Sequence, residues 1–455
     1  MLVVAPLPLG LNRPLSWTVA IAILGLLGLA WPLIRQRSVM PPTLPLASLS
    51  PALILFAGVL LWAAAQGWPG LPAQWAHPDW AHPLWAVARD HGVPGADAVS
   101  IAPYATGTGL LRLTGYALAF WLVLNHALSR RRAERLLDIL AAAGGLYALY
   151  ALLVHLSGSE TILWYRKWAY EGYLTGTFVN RNSYAAFAGL SLLCALAAVA
   201  RRLDGERLRP AVLVRHLTRR TALFALAAVL IAVSQLASDS RAGIMATLCG
   251  LVVFAAALAA TRGGRARPGA AVGIAALCLL FIAVWGAMVS LSETMVELGS
   301  DRLQVYALAL GAVAERPWLG HGLGAFPHLM QELRTPAQNT VWTEVHNSYI
   351  ELALELGLPA AAALLAALVW LTLRVVIGLV RRRDARVFCA LALAGTVQIA
   401  LHSTLDFVAQ IPAVTLLWMA LLGLGVGRAE VRRSRWAQEN DGVARESSLS
   451  QAVLP

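Results

Sequence analysis

Arginine, histidine and asparagine gather in this chain at the edges of long apolar runs, and five such segments hold the residues best able to do chemistry. In the first, Thr175 to Tyr184, Arg181 stands between Asn180 and Asn182, with Arg166 and Lys167 just ahead. An arginine at a membrane edge needs water or an anionic partner. The segment reads as an anion clamp, or as an interfacial anchor with snorkelling side chains. In the second, Ser238-Asp239-Ser240-Arg241-Ala242-Gly243, Ser240 is placed to cap the next helix. Asp239 could simply pair with Arg241. The third opens with Asp301-Arg302 and a helical stretch to Ala314, then runs from Arg316 to Phe326 as RPWLGHGLGAF. Its glycines mimic a phosphate-binding loop, but without a preceding strand or a Gly-Lys-Ser/Thr ending they read better as turns with positive φ.

The fourth segment is His346-Asn347-Ser348-Tyr349-Ile350-Glu351, continuing to Gly357 and Pro359. Ser348 with Glu351 reads as a capping box, and Gly357 with Pro359 as a stop, which predicts a short amphipathic helix. His346 stands just before that helix's positive end, where it suits an anion or a reacting hydroxyl. The fifth is His402-Ser403-Thr404-Leu405-Asp406-Phe407. Asp406 is an ionisable group at a membrane edge, either functional or the partner of one of the arginines. A tandem repeat, Trp75-Ala76-His77-Pro78-Asp79-Trp80-Ala81-His82-Pro83-Leu84-Trp85, reads as interfacial tryptophan belt and is given no catalytic role.

The elements that must position these residues are membrane spans. The chain is 58% hydrophobic and 13% charged over 455 residues, against about 25% charged in soluble globular chains. The apolar runs are about 20 residues long and apolar all round, so they face lipid or one another. Spans are expected at 16–34, 46–66, 109–127, 136–156, 183–200, 221–237, 242–260, 270–290, 359–380, 387–402 and 412–427. The net charge of +12 does not indicate nucleic acid, because the basic residues cluster between spans as topology signals do. Arg130–Arg135, Arg201–Arg220, Arg262–Arg267, Arg381–Arg386 and Arg428–Arg435 bound the clusters that would be cytoplasmic. Alternation then puts 67–108, 157–182, 238–241, 292–358 and 403–411 outside, together with all five segments. Met1 to Gly10 is an apolar stub, either the remnant of a twelfth helix or a re-entrant piece. Cys194, Cys249, Cys278 and Cys389 lie in or beside spans with no CxxC spacing, so neither a zinc site nor a disulfide framework is expected. No cleavable signal peptide is evident.

Five units follow from this layout. Residues 1–108 hold the first spans and a first outer loop, and 109–291 a central bundle. Residues 292–358 form a large outer loop with short helices, 359–427 the last spans, and 428–455 a cytoplasmic tail expected to be disordered. The fold class is all-α, a polytopic bundle of about eleven or twelve spans.

Taken in order, GTFVNRNSYA, SRAG, RPWLGHGLGAF, HNSYIELALELGLP and HSTLDFVAQIP resemble the O-antigen ligase and polymerase family of bacterial cell-envelope enzymes, over about residues 100–427. The resemblance implies a GT-C-like bundle with a large periplasmic loop in the inner membrane, with the active site facing the periplasm. It implies a donor glycan on undecaprenyl diphosphate and a glycolipid or lipid-linked glycan acceptor; lipid A–core would make it a ligase, another lipid-linked repeat a polymerase. The family's essential arginines and histidine would fall on Arg181, Arg241 or Arg302, and on His346. Cleaving a sugar–diphosphate bond releases a highly charged leaving group, which arginine forks stabilise without metal or ATP. No cofactor and no metal are therefore expected, and the partners are the two glycan substrates and membrane lipid, with no nucleic acid. The expected catalytic set is His346, Arg302 and Arg241, with His346 as base and Glu344 and Asp406 behind it. The expected substrate-binding set is Arg181, Asn180, Asn182, Arg316, Asn347 and Asp406. The departure from twelve spans at the start puts the first helix in question. The rival from another class is a transporter of an anionic solute; internal repeats and helices broken at the midplane would mark it, and no clear repeat of the span pattern is visible.

Overall fold

The computed structural model describes residues 1–36, 44, 46–93, 95–203, 218–261, 300–334 and 341–431. The span expected at 270–290, the start of the large loop, Cys278 and the tail beyond 431 lie outside these. The described chain is all-α apart from a hairpin of β1 (Thr161–Ile162) and β2 (Tyr165–Arg166). In chain order the helices are α1 (Pro14–Gln36), α2 (Ser50–Gln66), α3 (Pro83–Asp90), α4 (Pro103–Ala127), α5 (Arg130–Leu156), α6 (Arg181–Arg202) and α7 (Arg219–Ala237). They continue as α8 (Arg241–Ala260), α9 (Ser300–Glu315), α10 (Phe326–Leu333), α11 (Ser348–Leu356), α12 (Leu358–Arg381), α13 (Arg386–His402) and α14 (Pro412–Glu430). Among the described residues ten helices are long and apolar enough to cross a membrane. They coincide with the other ten expected spans. Several start earlier than expected, at Pro103, Arg130, Arg181, Arg219 and Arg241. An arginine there snorkels to the interface and a proline loses nothing in the first turn, so neither ends the helix.

Met1 to Leu11 does not form a twelfth helix. It is a run of turns ending in a 3-10 segment, Leu9–Leu11, with Ala5 and Leu11 in the main core and the Val3 carbonyl accepting from the Tyr147 hydroxyl at 2.7 Å.

Three spans sit at the centre: α14 is 94% buried, α6 83% and α13 78%, against 17% for α1. Small residues explain this. In α14, Gly423 and Gly427 lie against α4 so closely that a Cβ would come 2.6 Å from the Phe120 carbonyl oxygen and 2.5 Å from that of Leu124. Close backbone approach of this kind gives dispersion contact where lipid offers no hydrophobic driving force. Polar glue adds to it. Gln235 on α7 donates to Thr247 Oγ1 at 2.6 Å, and Gln398 on α13 to the Ala186 carbonyl at 3.0 Å.

The bundle has two unlike ends. At one, α5, α7 and α13 begin and α6, α12 and α14 finish in arginine-rich turns. Arg428 there bonds Asp384 at 2.6 Å and the Ala127 and Leu128 carbonyls. The other end holds the long connections and the short helices α3, α9, α10 and α11, with a small core of Val305, Ala309, Phe326, Leu329, Val345 and Leu354.

Candidate active site

At the loop end, four of the five motifs meet where α6, α8 and α11 start and α13 finishes. Asn180 caps α6, its side-chain oxygen accepting the Asn182 N–H at 2.7 Å. Ser240 caps α8 as its spacing predicts, accepting from Gly243 N at 3.2 Å. The Ser240 hydroxyl also donates to Asn182 Oδ1 at 2.7 Å, and Asn182 Nδ2 donates to Asp406 Oδ2. One asparagine thus bridges the second and fifth motifs.

His346 faces Asp406, Nδ1 to Oδ1 at 3.2 Å, with side chains 14% and 2% exposed. The approach is oblique rather than a linear hydrogen bond. The imidazole is held edge to face between Trp342 and Phe407, with centroids 5.4 and 4.7 Å away. Its backbone has φ 61°, strained for a residue with a side chain, and the Tyr306 hydroxyl secures its carbonyl at 3.0 Å. A carboxylate opposite Nδ1 favours the Nδ1–H tautomer and leaves the Nε2 lone pair available. Nε2 makes no hydrogen bond to a described residue.

Asp406 is buried, which pushes its carboxyl up. The contacts with His346, the nearby His402 ring and the Phe407 N–H at 2.7 Å outweigh burial and hold it below the usual carboxylate range. Glu344 moves the other way. Burial raises it and Asp406 adds to the rise, while the Thr343 hydroxyl, His346 and Arg112 oppose it.

The helix after His346 is capped by Asn347 rather than by Ser348. Asn347 Oδ1 accepts from Tyr349 N at 3.0 Å and Ile350 N at 3.2 Å, and its amide donates to the Thr404 carbonyl at 3.1 Å. Ser348 is drawn instead to Gln410 Oε1 at 2.7 Å. Glu351 reaches back to Val345 N at 2.8 Å. Glu355, one turn on, takes Phe326 N at 3.3 Å. Burial pushes the Glu355 carboxyl up to about 7 and, with Glu355 beside it, lifts Glu351 well above the usual range. Gly357, at φ 78°, ends α11 as expected and starts α12.

The cations are arranged around this centre. Arg181 bonds Asp239 at 3.2 Å and lies 4.1 Å from the Tyr173 ring centroid. Asp239 therefore pairs with Arg181, 58 residues away, and not with its neighbour Arg241. The Asp239 backbone has φ 53°. Arg241 is exposed at the first position of α8 and has no partner among the described residues. Arg302 lies near the start of α9 and acts electrostatically on Tyr170. Burial lifts the Tyr170 phenol and Asp406 adds to the rise, while Arg302 and Arg181 oppose it and Glu344 reinforces it. Arg302, Arg181, Asp406 and Glu344 thus all lie within electrostatic reach of one hydroxyl.

Arg316 is placed elsewhere. Its guanidinium donates to the Trp75 carbonyl at 2.6 Å and that of Ala76 at 3.5 Å, about 21 Å along α9 from Arg302 at 1.5 Å per residue. It belongs to a second cluster in which His77 Nε2 meets His321 Nδ1 at 2.9 Å and His77 Nδ1 meets Asp79 at 3.0 Å. Gly322, with φ 110°, brings its backbone against Ser100 beside this pair, and Gly320 and Gly324 share the positive φ that the sequence predicts.

Three side chains of the centre escape sequence reasoning. Tyr170, at φ 56°, lies in a loop with no local signal. Arg112 sits within a span, so only the rule that intramembrane charges are functional by default points to it. His402 is fully buried with both ring nitrogens unpartnered among the described residues, and its place in the fifth motif was its only sign.

Residues 226–365 match the O-antigen ligase family model. The matched segment runs from α7 through Ser240, Arg241, Arg302, the glycine turns and His346 to the start of α12, and it supports the family that the five motifs resemble. No curated protein matches the sequence. The ten apolar helices suggest a multi-pass membrane protein, and the matched segment is similar to O-antigen ligases, which supports a membrane glycan function of the ligase or polymerase type.

Proposed function

We propose that this chain transfers a glycan from a polyprenyl diphosphate, of the undecaprenyl kind, onto a hydroxyl of a glycolipid acceptor, and that it does so on the periplasmic face of the inner membrane. The observation that carries the reading is the His346–Asp406 pair at 3.2 Å, with the second imidazole nitrogen making no hydrogen bond to a described residue. Asp406 holds the imidazole and favours the cation that forms on it. His346 Nε2 takes the proton of the acceptor hydroxyl. The hydroxyl oxygen bonds to the anomeric carbon as the bond from that carbon to the phosphate oxygen breaks, so configuration inverts. The electron pair leaves with the diphosphate, and Arg241 and Arg302 receive that charge. Arg181 is held by Asp239, so its part is to orient the donor. Asn180, Asn182 and Asn347 keep the helix starts and Asp406 in register around the substrate. Arg316 shapes the outer loop to which the glycan extends. The arginine-rich turns at the opposite end support this orientation through the positive-inside rule.

The family description favours a ligase over a polymerase. Deletion in the native host followed by analysis of envelope glycans tests this. Finished polymer stranded on carrier lipid is the expected result; single unjoined repeats would make the chain a polymerase, and unchanged glycans would remove the proposal.

A further inference from the structure

The arginine-rich end of the bundle carries a cavity that glycan transfer does not use. It measures about 460 Å³ and lies between the start of α5, the last turn of α6 and the first turn of α7. Arg131, Glu134, Arg135 and Asp138 line it from α5, at spacings of three and four residues that put all four on one helix face. Arg201 and Arg202 enter from α6, and Arg220 from α7 with Thr218 and Thr221. Among the described residues five arginines therefore face two carboxylates.

Those carboxylates are already engaged. Asp138 takes Arg202 at 2.7 Å and Arg201 at 3.0 Å, while Glu134 takes Arg130 at 2.9 Å and Arg201 at 3.4 Å. Arg131, Arg135 and Arg220 are exposed and have no partner among the described residues. Arginines that serve only as topology signals need neither a cavity nor neighbours locked in place. Here Asp138 fixes two guanidiniums at the wall, and the three unengaged ones surround the opening. The walls continue as apolar surface: Leu223 and Leu226 on α7 and Ile139 on α5 are 58%, 55% and 52% exposed.

We propose that this cavity binds the phosphate of an anionic phospholipid headgroup, with the acyl chains lying along Leu223, Leu226 and Ile139. Guanidinium forks match phosphate oxygens, basic pockets between spans suit anionic headgroups, and the adjoining apolar faces select a lipid over a free phosphate ion. The site is about 33 Å from the His346 centre, the length of the 22-residue α6, so it stands whether or not the transfer chemistry does.

The test uses the full-length protein in neutral detergent, with bound lipid counted by native mass spectrometry. Phosphatidylglycerol is titrated against phosphatidylcholine. The expected result is a preference for phosphatidylglycerol that falls roughly tenfold or more in R131Q/R135Q/R220Q, with a nearly unchanged lipid-free thermal midpoint because these side chains hold no partner among the described residues. R220Q alone and R135Q alone should each lose part of the preference, which keeps the test decisive if the triple variant does not purify. Equal binding of the two lipids by wild type, or an undiminished preference in the variants, would overturn the proposal. Inorganic phosphate competing as well as phosphatidylglycerol does would overturn the assignment to a lipid.

Discussion

Two histidine clusters stand at the loop end, built from the same residue types and differing in spare valence. In the pair formed by His77 and His321, both rings are buried and each uses both nitrogens: His321 Nε2 meets the Ala312 carbonyl at 2.9 Å, the two rings meet at 2.9 Å, and His77 Nδ1 meets Asp79 at 3.0 Å. Burial lowers both histidines, His77 to about 4. The adjoining arginine, Arg316, is bound to backbone carbonyls. At His346 one nitrogen faces a buried aspartate, and among the described residues the other is open and Arg241 is unengaged. A histidine with no free nitrogen joins segments together. One with a free nitrogen, oriented by a carboxylate, can move a proton.

The largest expected effect breaks the comparison at the open histidine. His346→Ala should lower turnover with a purified lipid-linked donor by roughly 10²–10⁴-fold, the usual worth of a general base, with little change in thermal midpoint; wild-type turnover would put the base elsewhere. At the closed cluster the pattern should invert. His321→Ala leaves His77 and the Ala312 carbonyl unsatisfied and opens a cavity, so it should destabilise by about 2–4 kcal/mol in denaturation, while the folded fraction keeps its turnover to within a few fold.

A third effect concerns the arginines. Arg241→Gln with Arg302→Gln should weaken donor binding by roughly tenfold or more for each charge-assisted hydrogen bond removed, whereas Arg316→Gln should shift the thermal midpoint and leave donor affinity in place. An equal fall in affinity in both would merge the two regions. The smallest effect is a dependence on pH. His77 has a folded value near 4 and an unfolded value near 6.5. Its neutral form is favoured by folding, so this stability is complete above pH 6.5 and is lost as pH falls towards 4, by at most about 1.4 kcal/mol per pH unit. His77→Gln should flatten the thermal midpoint across that window; a slope equal to that of wild type would show that His77 does not titrate on unfolding.

The sequence exposed what short-range physics controls. The spans were visible because about 20 apolar residues in a row have few other uses. The cap at Ser240, the positive φ of Gly320, Gly322 and Gly324, and the stop at Gly357 were visible because each depends on neighbours within a few residues. The cap at Asn347 was misplaced by one position, since Ser348 answers to Gln410 across the fold. Arg316 lies against the Trp75 and Ala76 carbonyls, away from Arg302, and nothing near the tryptophan–histidine repeat announces a partner 244 residues away.

By itself, then, the sequence determined the all-α membrane-spanning class, the segments at which chemistry gathers and the contrast between arginine-rich and loop ends. The length of apolar runs, charge clustering and turn residues are local properties. Only the tertiary structure decided that Asp239 pairs with Arg181, that Asn182 joins Ser240 to Asp406, and that among the described residues His346 and not His321 keeps a free nitrogen. Those outcomes depend on which helix ends pack together, and that is set by close approaches such as those of Gly423 and Gly427, spread along the whole chain.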